Sequence, residues 1–242
     1  GRRLDPQSWS PPWSWVRDLA ESRPGLGVVA KLAPGVPREL APGWGLVWTS
    51  VAGDLVEAAA WSPRLARPGV GRAAVLLAAD GRAREVVADD DPFGEDAGGG
   101  RAPVGAVGAV VVEPDDALIR AGLVGAVVAA LPGGRLLDRR LAYVTADAVP
   151  GETDAVPGGV DAVPPRPATS PSALGRAYAV VEVVPLGALK AAVRRLGAGD
   201  VVVKQHGLGL DPVAVRRGLR LRGDGPTFTV LLARLDSGAV AI

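Results

Sequence analysis

Residues 148–172 read AVPGETDAVPGGVDAVPPRPATSPS, a stretch dominated by proline, glycine and small side chains. It contains a partly repeated Asp-Ala-Val-Pro, and its few large apolar side chains are too few for burial to offset the entropy lost on ordering. We therefore predict a linker at 148–172 between one folded segment over 1–147 and another over 173–242. A chain of 242 residues is long enough for this division.

The segment after the linker has the more regular pattern. Strands are predicted at AYAVVEVVP, GDVVVKQH, TFTVLLARL and AVAI, and helices at LGALKAAVRRLG and DPVAVRRGLRL. Asp211 and Pro212 stand where the N-cap and the first residue of the second helix are expected. The order β-α-β-α-β-β predicts a small α+β domain of ferredoxin-like size.

The segment before the linker mixes short helices and strands, which predicts the α/β class. SWVRDLAES indicates a helix, and GVVAKLAP is a continuous apolar run typical of a buried parallel strand. GLVWTSVAGDLVEAAAW and GRAAVLLAADG predict strands joined by turns, and RLAYVTAD predicts a last strand. Between them, DDALIRAGLVGAVVAALPGG predicts one helix capped by Asp115 or Asp116, and residues 89–103 predict a loop.

The composition excludes several kinds of site. The chain has no cysteine, which rules out disulfides, thiolate metal ligands and a cysteine nucleophile. His206 is the single histidine, so no pair of histidines can hold a metal, and we predict no metal site. The longest apolar stretch is too short to cross a bilayer and no signal-peptide pattern is visible, so we expect a cytoplasmic protein without a membrane partner.

Positive charge is concentrated near the C-terminus. The formal net charge of the chain is +1, but residues 172–242 hold ten Lys and Arg against five Asp and Glu. The residues that we predict to bind nucleic acid are Lys190, Arg194, Arg195, Lys204, Arg216, Arg217, Arg220 and Arg222. Helical spacing favours Arg194, Arg216 and Arg220 as phosphate contacts, with solvated helix faces as the alternative.

Two residues are candidates for catalysis. Lys31 ends an apolar run at the carboxyl edge of the predicted parallel strand, where open α/β sheets bind ligands, and a solvated strand end is the alternative. Glu113 stands with Asp115 and Asp116 in an acidic cluster that could exchange protons with a substrate. Helix capping and the helix dipole also account for the two aspartates.

Two features follow the second strand of the C-terminal segment. His206 could act as a base, but no serine or cysteine partner is evident, which favours an ordinary loop histidine. Gly207-Leu208-Gly209 lies between a predicted strand and a predicted helix, where phosphate-binding loops occur. The third position of that motif is Pro212 here, which favours a structural turn over a nucleotide site.

The stretch YAVVEVVPLGALKAAVRRLGAGDVVVKQHGLGLDPVAVRRGLRLRGDG resembles the C-terminal THUMP-like domain of a family of bacterial class I S-adenosylmethionine-dependent methyltransferases. The upstream pieces GRRLDPQSWSPPWS, VVAKLAPG, SVAGDLVEAAAW, EPDDALIRAGLV and LAYVTAD are similar, in the same order, to the part of that family that follows its Asp-Pro-Ala-Arg-Arg motif. The resemblance covers nearly the whole chain apart from its loops.

The resemblance implies both a fold and a function. Residues 1–147 correspond to the C-terminal part of a Rossmann-like methyltransferase domain with a connecting segment, and residues 173–242 correspond to the THUMP-like domain. The family's glycine-rich loop and ribose-binding acid precede the matching residues, so the resemblance implies that none of the cofactor-binding residues is retained. Gly1-Arg2-Arg3 is then the tail of the arginine motif, and the chain is a C-terminal fragment.

The implied cofactor of the full-length protein is S-adenosylmethionine, without a metal, and the implied substrate is RNA. Two alternatives of other classes are a noncatalytic RNA-binding module and an interaction domain that binds no nucleic acid. The sequence alone leaves these three hypotheses open.

Overall fold

The structure is a computed structural model that describes residues 5–23, 25–93, 101–148, 170–172 and 174–242. The helices in these ranges are α1 (Trp13–Ser22), α2 (Asp116–Ala121), α3 (Val124–Ala129), α4 (Leu189–Arg195) and α5 (Pro212–Leu219). The strands are β1 (Val29–Leu32), β2 (Gly45–Val51), β3 (Asp54–Trp61), β4 (Arg72–Leu77), β5 (Ala83–Val87), β6 (Val110–Pro114), β7 (Arg135–Leu136), β8 (Val144–Ala146), β9 (Ser170–Ser172), β10 (Gly175–Ala179), β11 (Val184–Pro185), β12 (Asp200–His206), β13 (Thr227–Leu235) and β14 (Gly238–Ala241). The α/β class is confirmed.

The chain forms two compact units whose segments alternate along the sequence. Unit 1 consists of Gly1–Ala102, Pro114–Ala130 and Ala173–Gly175, and unit 2 consists of Pro103–Glu113, Leu131–Ser172 and Arg176–Ile242. Most of the predicted linker, residues 149–169, lies outside the described residues, as do residues 94–100 of the predicted loop at 89–103. Residues 170–172 form β9, and the linker at 148–172 stays a prediction.

Unit 1 contains a sheet with the strand order β1-β3-β2-β4-β5. β2 and β3 form the expected hairpin, and β2 runs parallel to β4. The prediction of a buried parallel strand at GVVAKLAP is wrong, because β1 is an antiparallel edge strand that pairs Val29 with Trp61 and Leu32 with Ala58. Its residues alternate between exposed and half-buried, since an edge strand has one solvated face and few neighbours.

Tryptophan side chains fill much of the core of unit 1. Trp48 is fully buried, and its indole N–H donates to the carbonyl of Pro34 at 3.2 Å. The rings of Trp13 and Trp44 meet edge to face with centroids 5.1 Å apart. Such rings bury large apolar areas, and edge-to-face contacts are a favoured geometry, so this part of the chain has the means to hold a compact core.

The helix predicted after residue 114 is two helices, which corrects the sequence prediction. Gly122, with φ +70°, adopts the left-handed conformation that ends α2 and lets the chain restart as α3. The side chain of Asp115 accepts the N–H of Ala117 at 2.8 Å, so Asp115 is the N-cap of α2. The buried carboxylate of Asp91 accepts the N–H of Gly125 at 3.1 Å and so caps α3 from a distant part of the chain.

Unit 2 contains two sheets. The first has the order β7-β8-β6-β10-β9, in which β8 is antiparallel to both β6 and β7. The second has the order β11-β14-β13-β12, with β12 parallel to β13 and β13 antiparallel to β14. Val111, Tyr143 and Leu231 are buried together and join the two sheets in one apolar cluster.

From β11 onward the C-terminal segment has the predicted order of strands and helices, but the single strand predicted at AYAVVEVVP is wrong, because β10 and β11 are separate strands that belong to different sheets. Asp211 caps α5 by accepting the N–H of Val213 at 3.0 Å, and Pro212 is the first helical residue. The apolar faces of α4 and α5 supply Leu189, Val193 and Leu219 to the core of the second sheet. Local signals were sufficient here because each element has its own cap, turn or apolar periodicity.

Candidate functional site

The eight predicted nucleic-acid-binding residues all lie in unit 2, but they differ in what their charges contact. Three of them form ion pairs with acidic residues, and these pairs are Arg195 with Glu182, Lys204 with Glu113, and Arg216 with Asp200. The other five are exposed and have no ion pair among the described residues; they are Lys190, Arg194, Arg217, Arg220 and Arg222. Positive charge available to a ligand is therefore smaller than the sequence count.

The pair of Arg216 and Asp200 is bidentate. Nε and Nη2 of Arg216 donate to Oδ1 and Oδ2 of Asp200, each at 2.7 Å. These hydrogen bonds and the charge of the partner raise the pKa of Arg216 and lower the pKa of Asp200. Because the carboxylate already occupies the fork of the guanidinium, we expect Arg216 to contact phosphate less well than an unpaired arginine.

Three of the unpaired arginines line an open concavity of about 540 Å³, which we call the arginine concavity. Arg194 comes from the end of α4, while Arg220 and Arg222 follow the end of α5. Asp224 is the one acidic residue that lines it. Three guanidinium groups against one carboxylate give this surface a positive potential that suits an anion.

Glycine backbone forms the floor of the arginine concavity. Gly197, Gly199 and Gly225 line it, and a Cβ on Gly225 would lie 2.0 Å from the carbonyl oxygen of Gly197. A Cβ on Gly199 would lie 2.2 Å from the nitrogen of Gly225. Hydrogen bonds from Gly199 to Pro226 and from Gly223 to Gly199 hold the two segments together. No side chain at Gly199 or Gly225 fits between these two segments unless the backbone shifts. Glycine at both positions therefore keeps side chains out of the floor.

Arg220 has a backbone conformation that is rare for its type. It is the C-cap of α5 with φ +52° and ψ +53°, in the left-handed region where glycine is favoured. The sequence prediction that Arg220 shares a helical face with Arg216 is therefore wrong, since the helix ends at Leu219. The left-handed turn places Arg220 at the arginine concavity.

A second group of polar side chains in unit 2 surrounds Glu113, and we call it the Glu113 cluster. It consists of Glu113, Tyr143, Tyr178, Lys204 and His206. The hydroxyls of Tyr143 and Tyr178 donate to the carboxylate of Glu113 at 3.0 and 3.2 Å, and Lys204 forms an ion pair with it. Nε2 of His206 lies 3.0 Å from the hydroxyl oxygen of Tyr143, and the two rings meet edge to face.

The carboxylate of Glu113 is ionised at neutral pH. Burial raises the pKa of Glu113, but the hydrogen bond and charge of Lys204, with the hydrogen bonds of Tyr143 and Tyr178, outweigh it and hold the pKa below its usual range. The side chains of Glu113 and Lys204 are 26% and 25% exposed, so the pair is only partly solvated. Lys204 neutralises Glu113 and is not available as an isolated cation.

A mainly apolar cavity of about 290 Å³ adjoins the Glu113 cluster. Tyr143, Tyr178 and Lys204 contribute to its wall, and much of the rest is aliphatic or aromatic, including Val193 and Phe228. The hydroxyl groups and the ammonium group are committed to Glu113, so this cavity offers packing surface more than polar recognition.

Comparisons with known proteins show what this chain is similar to. A family model described as THUMP domain-like matches residues 175–242. S-adenosylmethionine-dependent methyltransferases, described as uncharacterized, from two strains of Mycobacterium tuberculosis (CDC 1551 / Oshkosh and ATCC 25618 / H37Rv) are each 31% identical to this chain over 239 residues, which cover 92% of this chain and 57% of the relative.

The resemblance to S-adenosylmethionine-dependent methyltransferases with a THUMP-like domain is confirmed. A solved structure, the "putative methyltransferase from Porphyromonas gingivalis W83", has the same fold, with a TM-score of 0.60 and 17% identity over 93% of this chain. The match covers 53% of that chain, so this chain spans little more than half the length of the proteins it matches.

Both the arginine concavity and most of the Glu113 cluster draw on the THUMP-like domain. Arg194, Arg220 and Arg222 all fall in its residues, as do Tyr178, Lys204 and His206. Glu113 and Tyr143 come from the chain before it and join it within unit 2.

The two catalytic candidates have different surroundings. Lys31 lies on the edge strand β1, is 78% exposed and forms a surface ion pair with Glu57 at 2.8 Å. That strand is antiparallel, so Lys31 does not stand at the carboxyl edge of a parallel sheet. Glu113 is held by three donors, while Asp115 serves as a helix cap. Catalytic roles for Lys31 and Glu113 stay predictions.

Gly207 and Gly209 lie in the turn between β12 and α5, where a loop that binds S-adenosylmethionine would need a close approach of the backbone. Both glycines have positive φ, of +74° and +63°, and a Cβ on either would meet no atom within 4 Å, so neither marks a close backbone approach. The carboxylate of Asp211 occupies the N-terminus of the following helix. This turn therefore does not fit a cofactor loop.

The described residues contain no cluster of three or more His, Asp or Glu side chains arranged to hold a metal ion. In the same part of the chain, no helix has the length and apolarity needed to span a membrane.

Sequence reasoning missed Tyr143, Tyr178 and Asp224. The two tyrosines belong to the Glu113 cluster, and Asp224 faces the arginine concavity. Their rarity was a usable signal, since the chain has only two tyrosines and one histidine. The pairing itself joins residues 30, 65 and 63 positions apart, which no local pattern encodes.

Proposed function

We propose that this chain belongs to an S-adenosylmethionine-dependent methyltransferase that acts on RNA, and that its THUMP-like domain binds the RNA backbone through Arg194, Arg220 and Arg222. The observation that carries the RNA assignment is the arginine concavity, which is lined by three arginines without an ion pair among the described residues and by the glycines of its floor. The methyltransferase relatives support methyl transfer as the reaction and S-adenosylmethionine as the cofactor. The proposal places the protein in the cytoplasm.

The chemistry of the arginine concavity favours phosphate. Guanidinium groups bind phosphate oxygens through paired N–H donors, and each neutralised phosphate releases counterions. Such contacts position a nucleic acid without reading its sequence. The concavity of about 540 Å³ is open to solvent at the surface of the unit, so a polymer can cross it without being enclosed.

The cofactor, when bound, supplies a methyl group made electrophilic by a sulfonium centre. The role that we propose for the residues of this chain is to hold RNA so that its nucleophilic atom is in line with that methyl group. Arg194, Arg220 and Arg222 bind the backbone, and the short contact of Gly199 with Gly225 keeps their positions fixed.

The test is a salt series of fluorescence anisotropy with structured RNA and the 242-residue chain. Arg220→Gly is the sharpest variant, because glycine accepts the left-handed backbone of residue 220 and removes only the side chain. The slope of log K against log salt is negative, and we expect Arg220→Gly to make it shallower by about 0.7–0.9. The variant should weaken the binding of different RNA sequences to a similar extent.

Arg216→Ala is the matched control, because it removes an arginine that is already paired with Asp200. We expect its slope to change by less than half as much as that of Arg220→Gly. Equal changes in the two variants would show that pairing does not decide which arginines meet phosphate. Absence of RNA binding at about 50 mM salt would contradict the proposed RNA contact.

A noncatalytic RNA-binding role for this chain is the second candidate, and the poor fit of Gly207 and Gly209 to a cofactor loop favours it. The two roles are separated by supplying S-adenosylmethionine with a labelled methyl group to the chain and its bound RNA. Label incorporated into RNA overturns the noncatalytic role of this chain. RNA binding without label agrees with that role and bears on this chain alone, since the chain spans little more than half the length of its relatives.

A further inference from the structure

The Glu113 cluster fixes where the protons of its side chains lie. An ionised carboxylate has no proton and can only accept, so Tyr143 and Tyr178 must each donate their single hydroxyl proton to Glu113. The oxygen of Tyr143 can then only accept from its other neighbour, Nε2 of His206, at 3.0 Å. The geometry therefore assigns the proton of neutral His206 to Nε2 and leaves Nδ1 as an acceptor.

Nδ1 of His206 is placed where a ligand can reach it. The side chain is exposed at the end of β12, and it makes no second hydrogen bond among the described residues. Gly207 and Gly209 follow, and a Cβ on either glycine would meet no atom within 4 Å other than those of its chain neighbours. The ring is oriented by Tyr143 on one side and is accessible on the other.

The acceptor character of Nδ1 limits the chemistry of its partner. Phosphate oxygens are acceptors as well, so a neutral His206 cannot pair with them as the arginines do. The donors of a nucleic acid are the ribose 2′-hydroxyl and the N–H groups of the bases. A site that binds phosphates only does not distinguish RNA from DNA, whereas an acceptor facing the ribose does.

We propose that Nδ1 of His206 accepts a hydrogen bond from an O–H or N–H donor of the bound nucleic acid, the ribose 2′-hydroxyl or a base edge, and that Tyr143 and Glu113 act as positioning residues for it. This inference rests on the proposed RNA function and adds a contact that the arginine concavity does not supply. It gives the single histidine of the chain a recognition role.

The first test compares single-stranded RNA and DNA of the same sequence, bound to the full chain and followed by fluorescence anisotropy. If the donor is the 2′-hydroxyl, His206→Ala weakens RNA binding by about two- to tenfold and leaves DNA binding unchanged. If the donor is a base N–H, the loss occurs on RNA and DNA alike and depends on the base composition of the oligonucleotide. An unchanged affinity for both polymers would overturn the inference.

The positioning role is tested by two tyrosine variants. Tyr143→Phe removes the oxygen that orients His206, and we expect it to reduce nucleic-acid affinity in the same pattern as His206→Ala, to a smaller extent. Tyr178→Phe is the matched control, because it removes the other hydroxyl bound to Glu113 but leaves the contact between Tyr143 and His206. Equal effects of both variants would indicate a merely structural role and overturn this part.

The proton assignment can be measured without any ligand. Because the chain has one histidine, a ¹⁵N spectrum of histidine-labelled protein reports its tautomer without further assignment. We expect the Nε2–H form in the native chain at a pH where the ring is neutral, and a mixture of tautomers in Tyr143→Phe. A native ring protonated at Nδ1 would overturn the inference.

The outcomes separate this inference from the proposed function. A native chain that binds RNA with a normal salt dependence but is indifferent to His206→Ala overturns the inference alone. A native chain that binds no RNA overturns the proposed function and, with it, this contact.

Discussion

The arginine concavity and the Glu113 cluster lie in the same unit and both contain basic side chains, yet only one of them offers charge to a ligand. In the Glu113 cluster the ammonium group of Lys204 meets a carboxylate that also binds two hydroxyls. In the arginine concavity three guanidinium groups share one lining carboxylate, that of Asp224. A count of basic residues therefore overstates the positive charge that is available for binding.

The two sites differ in whether their basic side chains have an acidic partner, and such partners are distant in the sequence. Arg195, Arg216 and Lys204 pair with acids that are 13, 16 and 91 positions away. Such partners come from other strands or loops and are set by the fold. Of the arginines of the concavity, Arg194 lies in the last turn of α4, and Arg220 and Arg222 follow α5, where the nearby chain is rich in glycine and has few acids.

The largest effect that we expect comes from the floor of the arginine concavity. Gly225→Ala places a Cβ 2.0 Å from the carbonyl oxygen of Gly197, so the two segments must separate. We expect the free energy of unfolding to fall by about 3 kcal/mol and RNA affinity to fall with it. Urea unfolding followed by tryptophan fluorescence or circular dichroism gives the stability.

Gly218→Ala is the control for that variant. Gly218 lies inside α5, and a Cβ there meets no atom within 4 Å, so alanine should raise stability by about 0.5–1 kcal/mol through its helix propensity. A Gly225→Ala protein as stable as the native chain would show that the floor is not a tight contact.

The second effect tests the Glu113 cluster. Glu113→Gln leaves Lys204 without a counter-charge in a partly buried place and disturbs two hydroxyl hydrogen bonds, so we expect a loss of about 2 kcal/mol at pH 7. Asp200→Asn removes the acid of an exposed pair and should cost clearly less. Equal losses would contradict the distinction between the two kinds of pair.

The loss in Glu113→Gln should depend on pH in a defined direction. The pKa of Glu113 is lowered in the folded state from an ordinary value of 4.5, so its contribution is present above pH 4.5 and disappears as the pH falls through the lower folded value. The stability difference between native chain and variant should therefore shrink below pH 4.5. Hydrogen bonds from Arg140 lower the pKa of Asp138 from 3.8 to about 2. The contribution of Asp138 to stability is therefore present above pH 3.8 and is lost as the pH falls towards about 2.

The smallest effect that we expect sharpens the description of the arginine concavity. Asp224→Asn removes its only lining carboxylate with little change in shape. An exposed charge interaction of about 0.5 kcal/mol corresponds to an RNA affinity about twofold higher at low salt, and the gain should vanish at high salt. Weaker binding by this variant would mean that Asp224 contacts the ligand directly.

Much of the fold could be predicted because its signals are local. The β-α-β-α-β-β order of residues 184–242 is accompanied by the Asp211 cap, Pro212 and clear apolar periodicity. The break between α2 and α3 at Gly122 was missed, although glycine is a common residue after a helix end. The direction of β1 was missed because an apolar run does not show whether its neighbour is parallel or antiparallel.

Less of the candidate site could be predicted because it depends on contacts between distant residues. Helical spacing selected Arg194, Arg216 and Arg220 alike. Arg194 and Arg220 line the arginine concavity, but Arg216 does not. The bidentate partner of Arg216 and the left-handed turn of Arg220 both follow from the folded chain. His206 was interpreted as an ordinary loop residue because no serine or cysteine partner is evident, and its neighbours Tyr143 and Glu113 in the folded chain are far away in sequence.

The contact among Gly197, Gly199 and Gly225 limits how this surface can diverge among related proteins. A side chain at Gly199 or Gly225 would push the two backbone segments apart, so neither residue can be replaced without a shift of the opposite segment. The rim residues Arg194 and Arg222 are exposed, and replacing them leaves the backbone contact intact. We therefore expect related proteins to differ in binding preference through replacement of the exposed arginines, while the glycines stay the same. Antibody loops vary on a constant framework in the same way.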